Sequence, residues 1–463
     1  MKQVSEAYSE SMASPLRNQS YVKIIIYNSN GAGQIEFTNS DIVSTKQSHD
    51  VDPLSRRLPK ETLQFTILDF EHKYAPDNPS GVWKDVENRA KVSIQFGYEL
   101  PSGIEWVKPD IYYLTGRPAF ANNRTTFKAT GLLGIMDGTY YKGKYGKKTF
   151  YSVAEDVLLD AGLPLLPDGG NPWVIDDSLN QMYTTGALPI TTHANCLQMI
   201  AHACRCKLYT DDDNIIHIKP FTVKQATPAT SDFCIGNDSI SLGGQSRSNI
   251  DQLKAVTVEM YYASTNHLDN DDGTLSPEYV TLYRGLSSDT AMHLEFSQPS
   301  EYMEINVDYG TIVSSSTYAR AVDIVLSAGE KIITVKGSNT SEMSVSYTHD
   351  VNETGAIDTE KNVLITDRAM AVALADHVAQ YLQLRNTYDV SYRGNPELEC
   401  GDIIGLETMH AGRIIGLVLT DEITYNGTLR GKVKVKVLSV QFGAESAVLA
   451  LGQLGKIELG VIK

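Results

Sequence analysis

The stretch from residue 367 to residue 406 constrains the fold more than any other part of the sequence. Its first half repeats apolar residues at the spacing of one helix face, namely Met370, Leu374, Val378 and Tyr381. An extended run follows, then 393–396 (RGNP) interrupts it, and 397–404 (ELECGDII) returns to strand-like residues. The pattern predicts one long amphipathic helix that leads into a set of strands.

Most of the remaining sequence is typical of short antiparallel strands. Runs of β-branched and aromatic residues, separated by Gly, Pro and Asn, predict strands over 21–27, 62–70, 90–98, 110–120 and 124–130. We therefore predict an α+β, β-rich fold in which small antiparallel β-barrels are combined with helix-plus-sheet domains.

The length of 463 residues exceeds one ordinary core and predicts about three domains. The predicted parts are an N-terminal arm (1–19), a first β-barrel-like domain (20–133), an α/β domain (134–232), a β-rich domain (233–365), and a helix followed by a second β-barrel-like segment (366–463). The arm carries Val4, Tyr8 and Met12 at helical spacing until Pro15, and we expect it to pack on a neighbour or on the first barrel.

Local signals place two helices and a hairpin in the α/β domain. Residues 152–155 (SVAE) match a capping box and predict a helix that begins at Ser152. A second helix is predicted to begin near Thr191 or Thr192, and a hairpin is predicted from 206–209 and 215–218.

Residues 431–437 (GKVKVKV) alternate Lys and Val, directly after the turn residues Asn426 and Gly427. Three Lys on one face favour a solvated or edge strand that is protected from aggregation. A basic face that docks on an acidic partner subunit is the alternative.

Composition limits the classes of function. The net charge of −16 argues against an ordinary nucleic-acid-binding protein and is explained either by solubility or by a channel wall that DNA passes without adhering. No run approaches 18 apolar residues, and the start has no apolar signal segment, so we expect no stable membrane insertion and no secretory signal. Five Cys in such a long chain do not form a disulfide framework, which fits folding in a reducing cytoplasm.

Four groups of residues have the composition of a metal or phosphate site. The first is a Cys/His group that comprises His193, Cys196, His202, Cys204 and Cys206. Its spacing departs from that of zinc sites, so buried core residues are the favoured interpretation and a metal site is the alternative. The acidic turns at 211–214 and 269–273 lack the terminal Glu of a calcium loop. The loop 143–149 (GKYGKKT) has the wrong Gly spacing for a phosphate-binding loop, and no strand–loop–helix context is expected around it.

Catalytic signatures are missing from the sequence. It contains no HExxH motif, no GxSxG motif and no dinucleotide-binding Gly pattern. We therefore predict a protein that is not an enzyme, with no catalytic residues, no cofactor and no metal.

Four segments together resemble the hub proteins, or N-terminal tail-associated proteins, of phage tail tips and baseplates. They are 4–8 (VSEAY) with 14–22 (SPLRNQSYV), 151–162 (YSVAEDVLLDAG), 196–206 (CLQMIAHACRC) with the hairpin that ends at 218, and 367–406 with 426–431 (NGTLRG). The segments span most of the chain. Proteins of this kind often continue into a long fibrous or lytic extension, whereas this sequence stops at Lys463.

The resemblance implies a ring-shaped homotrimer in which two barrels per subunit give a pseudo-sixfold ring. Such a ring would join a hexameric tail tube to a threefold tip and leave an axial path for DNA. The implied partners are a distal tail or tail tube protein, a tape measure protein, and tip or receptor-binding proteins. The implied location is the virion tail, assembled in the host cytoplasm, with a role in DNA ejection and host cell attachment. A receptor- or carbohydrate-binding tail protein is the alternative, followed by a tail-associated lysin.

Overall fold

The computed structural model describes residues 1–13, 19–28, 33–75, 77–78, 80–81, 89–166, 169–222, 233–270, 274–408 and 412–441. The predicted class, an α+β fold rich in strands, is confirmed, and the largest sheet curves into a half-barrel. No helix in these ranges is both long enough and apolar enough to cross a membrane.

The N-terminal part is built almost entirely from antiparallel strands. Its elements are α1 (Glu6–Ala13), β1 (Ser20–Tyr27), β2 (Gln34–Phe37), β3 (Ile42–Asp50), β4 (Lys60–Leu68), β5 (Lys91–Leu100), β6 (Gly103–Trp106), β7 (Asp110–Leu114), β8 (Ala119–Ala121) and β9 (Arg124–Thr130). The segment predicted as one strand over 110–120 forms two, β7 and β8. The long strand β3 was not predicted, because its inward positions carry Thr45 and Gln47 instead of apolar residues.

The second part contains the predicted helices and hairpin. Its elements are α2 (Leu132–Ile135), β10 (Thr139–Tyr140), β11 (Lys148–Thr149), α3 (Phe150–Asp160), β12 (Trp173–Ile175), a 3-10 helix (Asp177–Gln181), β13 (Tyr183–Thr184), β14 (Thr191–Thr192), α4 (His193–Ala203), β15 (Cys206–Thr210) and β16 (Ile216–Pro220). Thr192 caps α4 by accepting a hydrogen bond from the backbone of Asn195, so the predicted start is confirmed. The capping box was placed wrongly: α3 begins at Phe150, and its cap is Thr149 rather than Ser152.

The third part is a set of long strands. Its elements are β17 (Cys234–Ile235), β18 (Ile240–Asn249), β19 (Leu253–Thr265), β20 (His267–Asp269), β21 (Leu275–Pro277), β22 (Tyr279–Ser287), β23 (Ala291–Glu295), β24 (Ser300–Asp308), β25 (Ile312–Thr317), β26 (Ala321–Leu326), β27 (Lys331–Asp350) and β28 (Ala356–Lys361). The first half of β27 pairs with β22 and β24, and its second half pairs with β19.

The last part begins with the predicted long helix. Its elements are α5 (Arg368–Gln383), β29 (Asn386–Tyr392), β30 (Ile403–Thr408), β31 (Gly412–Tyr425) and β32 (Leu429–Gln441). The carboxylate of Asp367 caps α5 by accepting a hydrogen bond from the backbone N–H of Met370 at 2.8 Å. Leu374 and Val378 are fully buried, and α5 packs on β19.

The first and last parts share one continuous sheet. Strands β3 and β31 pair antiparallel from Thr45 opposite Tyr425 to Asp50 opposite Thr420. As a result, Ile423 of β31 is buried in the same apolar cluster as the strands of the N-terminal half-barrel. The domain boundaries inferred from the sequence stay a prediction. The β3–β31 ladder joins the predicted first β-barrel-like domain (20–133) to the predicted last part (366–463).

The N-terminal helix α1 lies on the first part of the fold. Tyr8 and Met12 are buried against Tyr98, Leu100 and Val107. The arm was expected to pack either on a neighbour or on the first barrel, and the structure shows the contact with the first barrel. Pro15, which was expected to end the helix, lies outside the described residues.

Candidate functional site

The three clustered cysteines are buried in one apolar core. Cys196, Cys204 and Cys206 pack in the same cluster as Leu197 and Ile200 of α4. Burial raises the pKa of the Cys196 and Cys206 thiols to about 12, so both stay protonated at neutral pH. Among the described residues, no group of three or more His, Cys, Asp and Glu side chains is arranged to hold a metal ion.

The two histidines of this group are paired with carboxylates instead of with each other. His193 Nε2 lies 2.9 Å from Asp160 Oδ2, and His202 Nε2 lies 3.0 Å from Glu360 Oε2. Although burial alone would raise the pKa of Glu360, its contacts with His202 and Arg56 hold that pKa below its usual value. These pairs connect α4 to α3 and to β28.

The acidic turn at 211–214 is a hairpin turn with internal hydrogen bonds. Asp211 Oδ1 accepts from the backbone N–H groups of Asp213 at 3.0 Å and Ile215 at 2.9 Å, and Asn214 has a φ of 63°. In the other acidic turn, Asp269 belongs to β20, and 271–273 lie outside the described residues.

The segment 143–149 that was compared with a phosphate-binding loop ends in a short strand. Residues 148–149 form β11, which pairs with β13, and α3 begins directly after it. Lys144 lies 5.0 Å from the ring of Tyr318, and Lys147 lies 4.6 Å from the ring of Tyr183. These two lysines therefore pack on aromatic rings of the same chain.

The alternating Lys face of β32 is neither at a sheet edge nor wholly solvated. Strand β32 pairs with β29 on one side and with β31 on the other. Lys432 is exposed, but Lys436 is 4% exposed and its Nζ lies 4.1 Å from the ring of Tyr381. Burial, with Arg56 nearby, lowers the pKa of Lys436 to about 8. The edge-strand prediction was wrong, because β32 has a partner on each side. Lys432 and Lys434 are solvated as predicted, whereas α5 covers Lys436.

The segment between β29 and β30 forms a buried corner. Gly394 has a φ of 77°, and a Cβ at this position would lie 2.8 Å from the carbonyl carbon of Arg430. Asn395 Oδ1 accepts a hydrogen bond from the backbone N–H of Glu397 at 3.1 Å, and both side chains are buried. The corner thereby fixes the residues that follow it, beginning with Glu399.

Beside this corner, groups from several separate chain segments form a charged cluster that we call the junction. Lys2 Nζ lies 2.5 Å from Asp110 Oδ1, and the Met1 amine lies 3.0 Å from Glu399 Oε2 and 2.6 Å from Asp402 Oδ1. The backbone N–H of Lys2 also donates to the carbonyl oxygen of Glu397. Residues 1–2 therefore bridge β7 and the buried corner.

His49 of β3 lies at the centre of the junction. Its Nε2 lies 2.5 Å from the hydroxyl of Tyr112, and the two rings are stacked. Gln47 Nε2 donates to Asp110 Oδ2 at 2.5 Å. The cluster lines a cavity of about 60 Å³, which also includes Glu61.

The junction carries more acidic than basic groups, and their pKa values are displaced accordingly. Burial, reinforced by Asp110, raises the pKa of Glu61 to about 8. Burial and a hydrogen bond to Glu399 raise the pKa of Asp212 to about 8. Burial likewise lowers the pKa of His49, so the imidazole is neutral. No sequence motif indicated this cluster, because its members are single polar residues on separate strands.

A second feature is an apolar sheet face that the described residues of the chain cover only in part. Val256 and Val258 of β19 are buried on the side that faces α5. Further along the same face, Tyr262, Met343 and Val345 are 45%, 43% and 50% exposed. Tyr262 pairs directly with Met343, so their side chains are neighbours.

The opposite face of the same strands is polar. It carries Ser344 and Ser346 on β27 and Thr257 and Glu259 on β19. The sheet is therefore amphipathic, and its apolar face continues past the part that α5 covers. Exposed apolar patches of this kind typically mark interaction surfaces.

No protein-family model matches the sequence, and no curated protein matches it. Solved structures that it resembles include the 43 kDa tail protein of prophage MuSo2 from Shewanella oneidensis, with 9% identity, a TM-score of 0.44, and coverage of 89% of this chain and 98% of the other. They also include the prophage tail protein gp18 from Listeria monocytogenes, with 8% identity, a TM-score of 0.47, and coverage of 89% and 94%. A tail protein from Neisseria meningitidis has 9% identity, a TM-score of 0.43, and coverage of 90% and 96%.

These neighbours are phage tail proteins, the class that the four sequence segments resemble. At 8–9% identity and with TM-scores below 0.5, the likeness assigns no residue and no activity to this chain.

Proposed function

We propose that this chain is a structural hub protein of a phage or phage-like tail tip. Three copies would form a ring that joins a hexameric tail tube to the tip and leaves an axial path for DNA. The observation that carries the proposal is the uncovered apolar face of β19 and β27, since a chain that works by assembly needs an apolar surface that folding alone leaves open. The order of the four resembling segments supports the choice of tail hub as the class.

A second copy of this chain is the proposed occupant of that face, because the resemblance implies a homotrimer. The apolar residues Tyr262, Met343 and Val345 supply a contact with no charge of their own. That property matters for copies that each carry a net charge of −16 and repel one another at a distance. Burial of an apolar patch offsets such repulsion, which salt further screens.

The remaining partners follow from the same proposal. They are a distal tail or tail tube protein, a tape measure protein, and tip or receptor-binding proteins, within a virion tail assembled in the host cytoplasm. DNA would pass along the axis without specific binding, and the excess of carboxylates would keep the passage free of adhesion.

The test is the oligomeric state of the purified chain, measured by light scattering and by negative-stain imaging. We expect a threefold ring with an axial opening. Val345→Lys places a charge in the proposed contact and is expected to yield monomers. Ser344→Lys is the matched control, since the neighbouring side chain on the same strand points to the polar face, and it should leave the ring intact.

A wild-type chain that stays monomeric at high concentration would refute the ring. A ring that survives Val345→Lys would refute this face as the contact. Binding of the monomer to a glycan array would favour the carbohydrate-binding alternative.

A further inference from the structure

Three titratable side chains share one rung of the large sheet inside the junction. Asp421 of β31 is directly opposite His49 of β3, and His49 is directly opposite Glu61 of β4. Residues directly opposite each other in an antiparallel ladder point to the same face, so a carboxyl group flanks the imidazole on each side. This row crosses the strands that join the first and last parts of the fold.

Two oxygen atoms, one in this row and one beside it, are buried with no hydrogen-bond partner among the described residues. They are Oδ1 of Asp421 and Oε1 of Gln47, and both residues are 3% exposed. Gln47 and His49 are two positions apart on β3 and point to the same face, so Gln47 is the diagonal neighbour of Asp421. An amide oxygen and an ionised carboxylate are both acceptors only. A proton on Asp421 would turn one of these buried acceptors into a donor.

Other elements around the row add negative charge to it. Strand β7 contributes Asp110, the β15–β16 turn contributes Asp212, and the buried corner contributes Glu399 and Asp402. The tyrosines Tyr112 and Tyr209 and the thiol of Cys400 complete the neutral part of the lining.

Two of the cations that face the junction are engaged in ion pairs, and a third lies buried beside it. Lys2 pairs with Asp110, and the Met1 amine pairs with Glu399 and Asp402. Burial lowers the pKa of Lys207, which lies close enough to Cys400, Asp402 and Glu399 to interact with them electrostatically. No ion pair of the described residues involves Asp421 or Glu61.

We propose that the junction is a proton-dependent lock, in which Asp421 and Glu61 keep their protons in the folded protein and lose them as the pH rises. Loss of these protons places two negative charges in a row that forms no ion pair with a cation among the described residues. The β3–β31 ladder and the contacts of residues 1–2 then weaken, while the apolar cores on either side are unaffected. The lock is independent of the proposed role in a tail, since it acts within one chain.

The pKa values of both carboxyl groups are raised, which is the direction that this geometry predicts. Burial, with Asp110 adding to it, raises the pKa of Asp421 well above its ordinary value, as it raises that of Glu61 to about 8. A carboxyl whose pKa is higher in the folded than in the unfolded chain stabilises the fold most below its unfolded value, near 4.5 for Glu61. That contribution is lost as the pH rises towards 8.

The test is hydrogen exchange of the β3 and β31 backbone amides in the full chain between pH 5.5 and 8.5, corrected for intrinsic exchange at each pH. For the wild type we expect protection to fall by up to about tenfold per pH unit for each retained proton. Asp421→Asn cannot ionise, so the fall should be smaller by about tenfold per pH unit over part of the range. Glu61→Gln should flatten the profile in the same way.

Asp389→Asn is the matched control, because Asp389 is a more exposed carboxylate on β29 of the same sheet. Its profile should follow that of the wild type. If Asp421→Asn does not fold, Glu61→Gln decides the matter. A wild-type profile that is flat, or variants of both carboxyls that fall in parallel with the wild type, would overturn the lock.

Discussion

Replacing Ile423 by Ala should loosen the N-terminal half-barrel, although Ile423 lies near the end of the described chain. Its side chain is 3% exposed and is buried in the same cluster as Phe65 and Phe127, whose rings stack at 4.8 Å. Truncation of a buried Ile to Ala typically costs about 2–5 kcal/mol, because burial is lost and a cavity remains. The lower value corresponds to roughly 25-fold in an opening equilibrium.

Hydrogen exchange measures this effect strand by strand. In Ile423→Ala, we expect amides of β3, β4 and β9 to exchange roughly 25-fold faster or more, at constant pH. Thr424→Ala is the control, because Thr424 is half-buried on the other face of β31, and it should change exchange in these strands by only a few fold. Unchanged exchange in β4 and β9 of Ile423→Ala would refute the idea that the last part of the chain completes the first core.

Two further predictions concern single buried positions. Lys436→Met should stabilise the protein by roughly 1–2 kcal/mol at pH 7, since it removes a buried ammonium whose contact with the Tyr381 ring offsets only part of the cost. The pKa of Lys436 is about 8 in the folded protein and about 10.5 in the unfolded chain, so the wild type gains stability as the pH rises between these values. The stability advantage of Lys436→Met, measured by urea denaturation, should therefore disappear near pH 10.5. A variant that is less stable than the wild type at pH 7 would contradict this. Gly394→Ala should cost about 1–3 kcal/mol in the same assay, because a Cβ would strike the Arg430 backbone at a positive φ. Gly427→Ala, at a positive φ with open space around it, should cost less, and equal losses would show that the close approach is unimportant.

The elements that sequence predicted well are those whose signals are local. Helix α5 has a capping Asp367 and an apolar stripe within 16 residues, and the β15–β16 hairpin has its turn chemistry in Asp211 and Asn214. Neither depends on a distant partner. Both therefore follow from residues that are neighbours in the sequence.

What sequence could not predict depends on pairing between distant segments. Gln47 and His49 lie on one face of β3, and from the sequence alone a face with these polar residues is expected to be solvated. That face is internal only because Asp421 and Lys2 approach it. The same holds for Lys436, whose position looks solvated until α5 is placed over it. An alternating pattern tells which residues share a face, but it does not tell what covers that face.

The ladder between β3 and β31 also has a consequence for synthesis of the chain. Thr45 pairs with Tyr425, so 380 residues separate the two partners. At about 5–20 residues per second, the ribosome needs roughly 20–75 s to deliver the second strand after the first. During that interval one edge of β3 lacks its partner, so its unpaired backbone groups are open to pairing with strands of other chains.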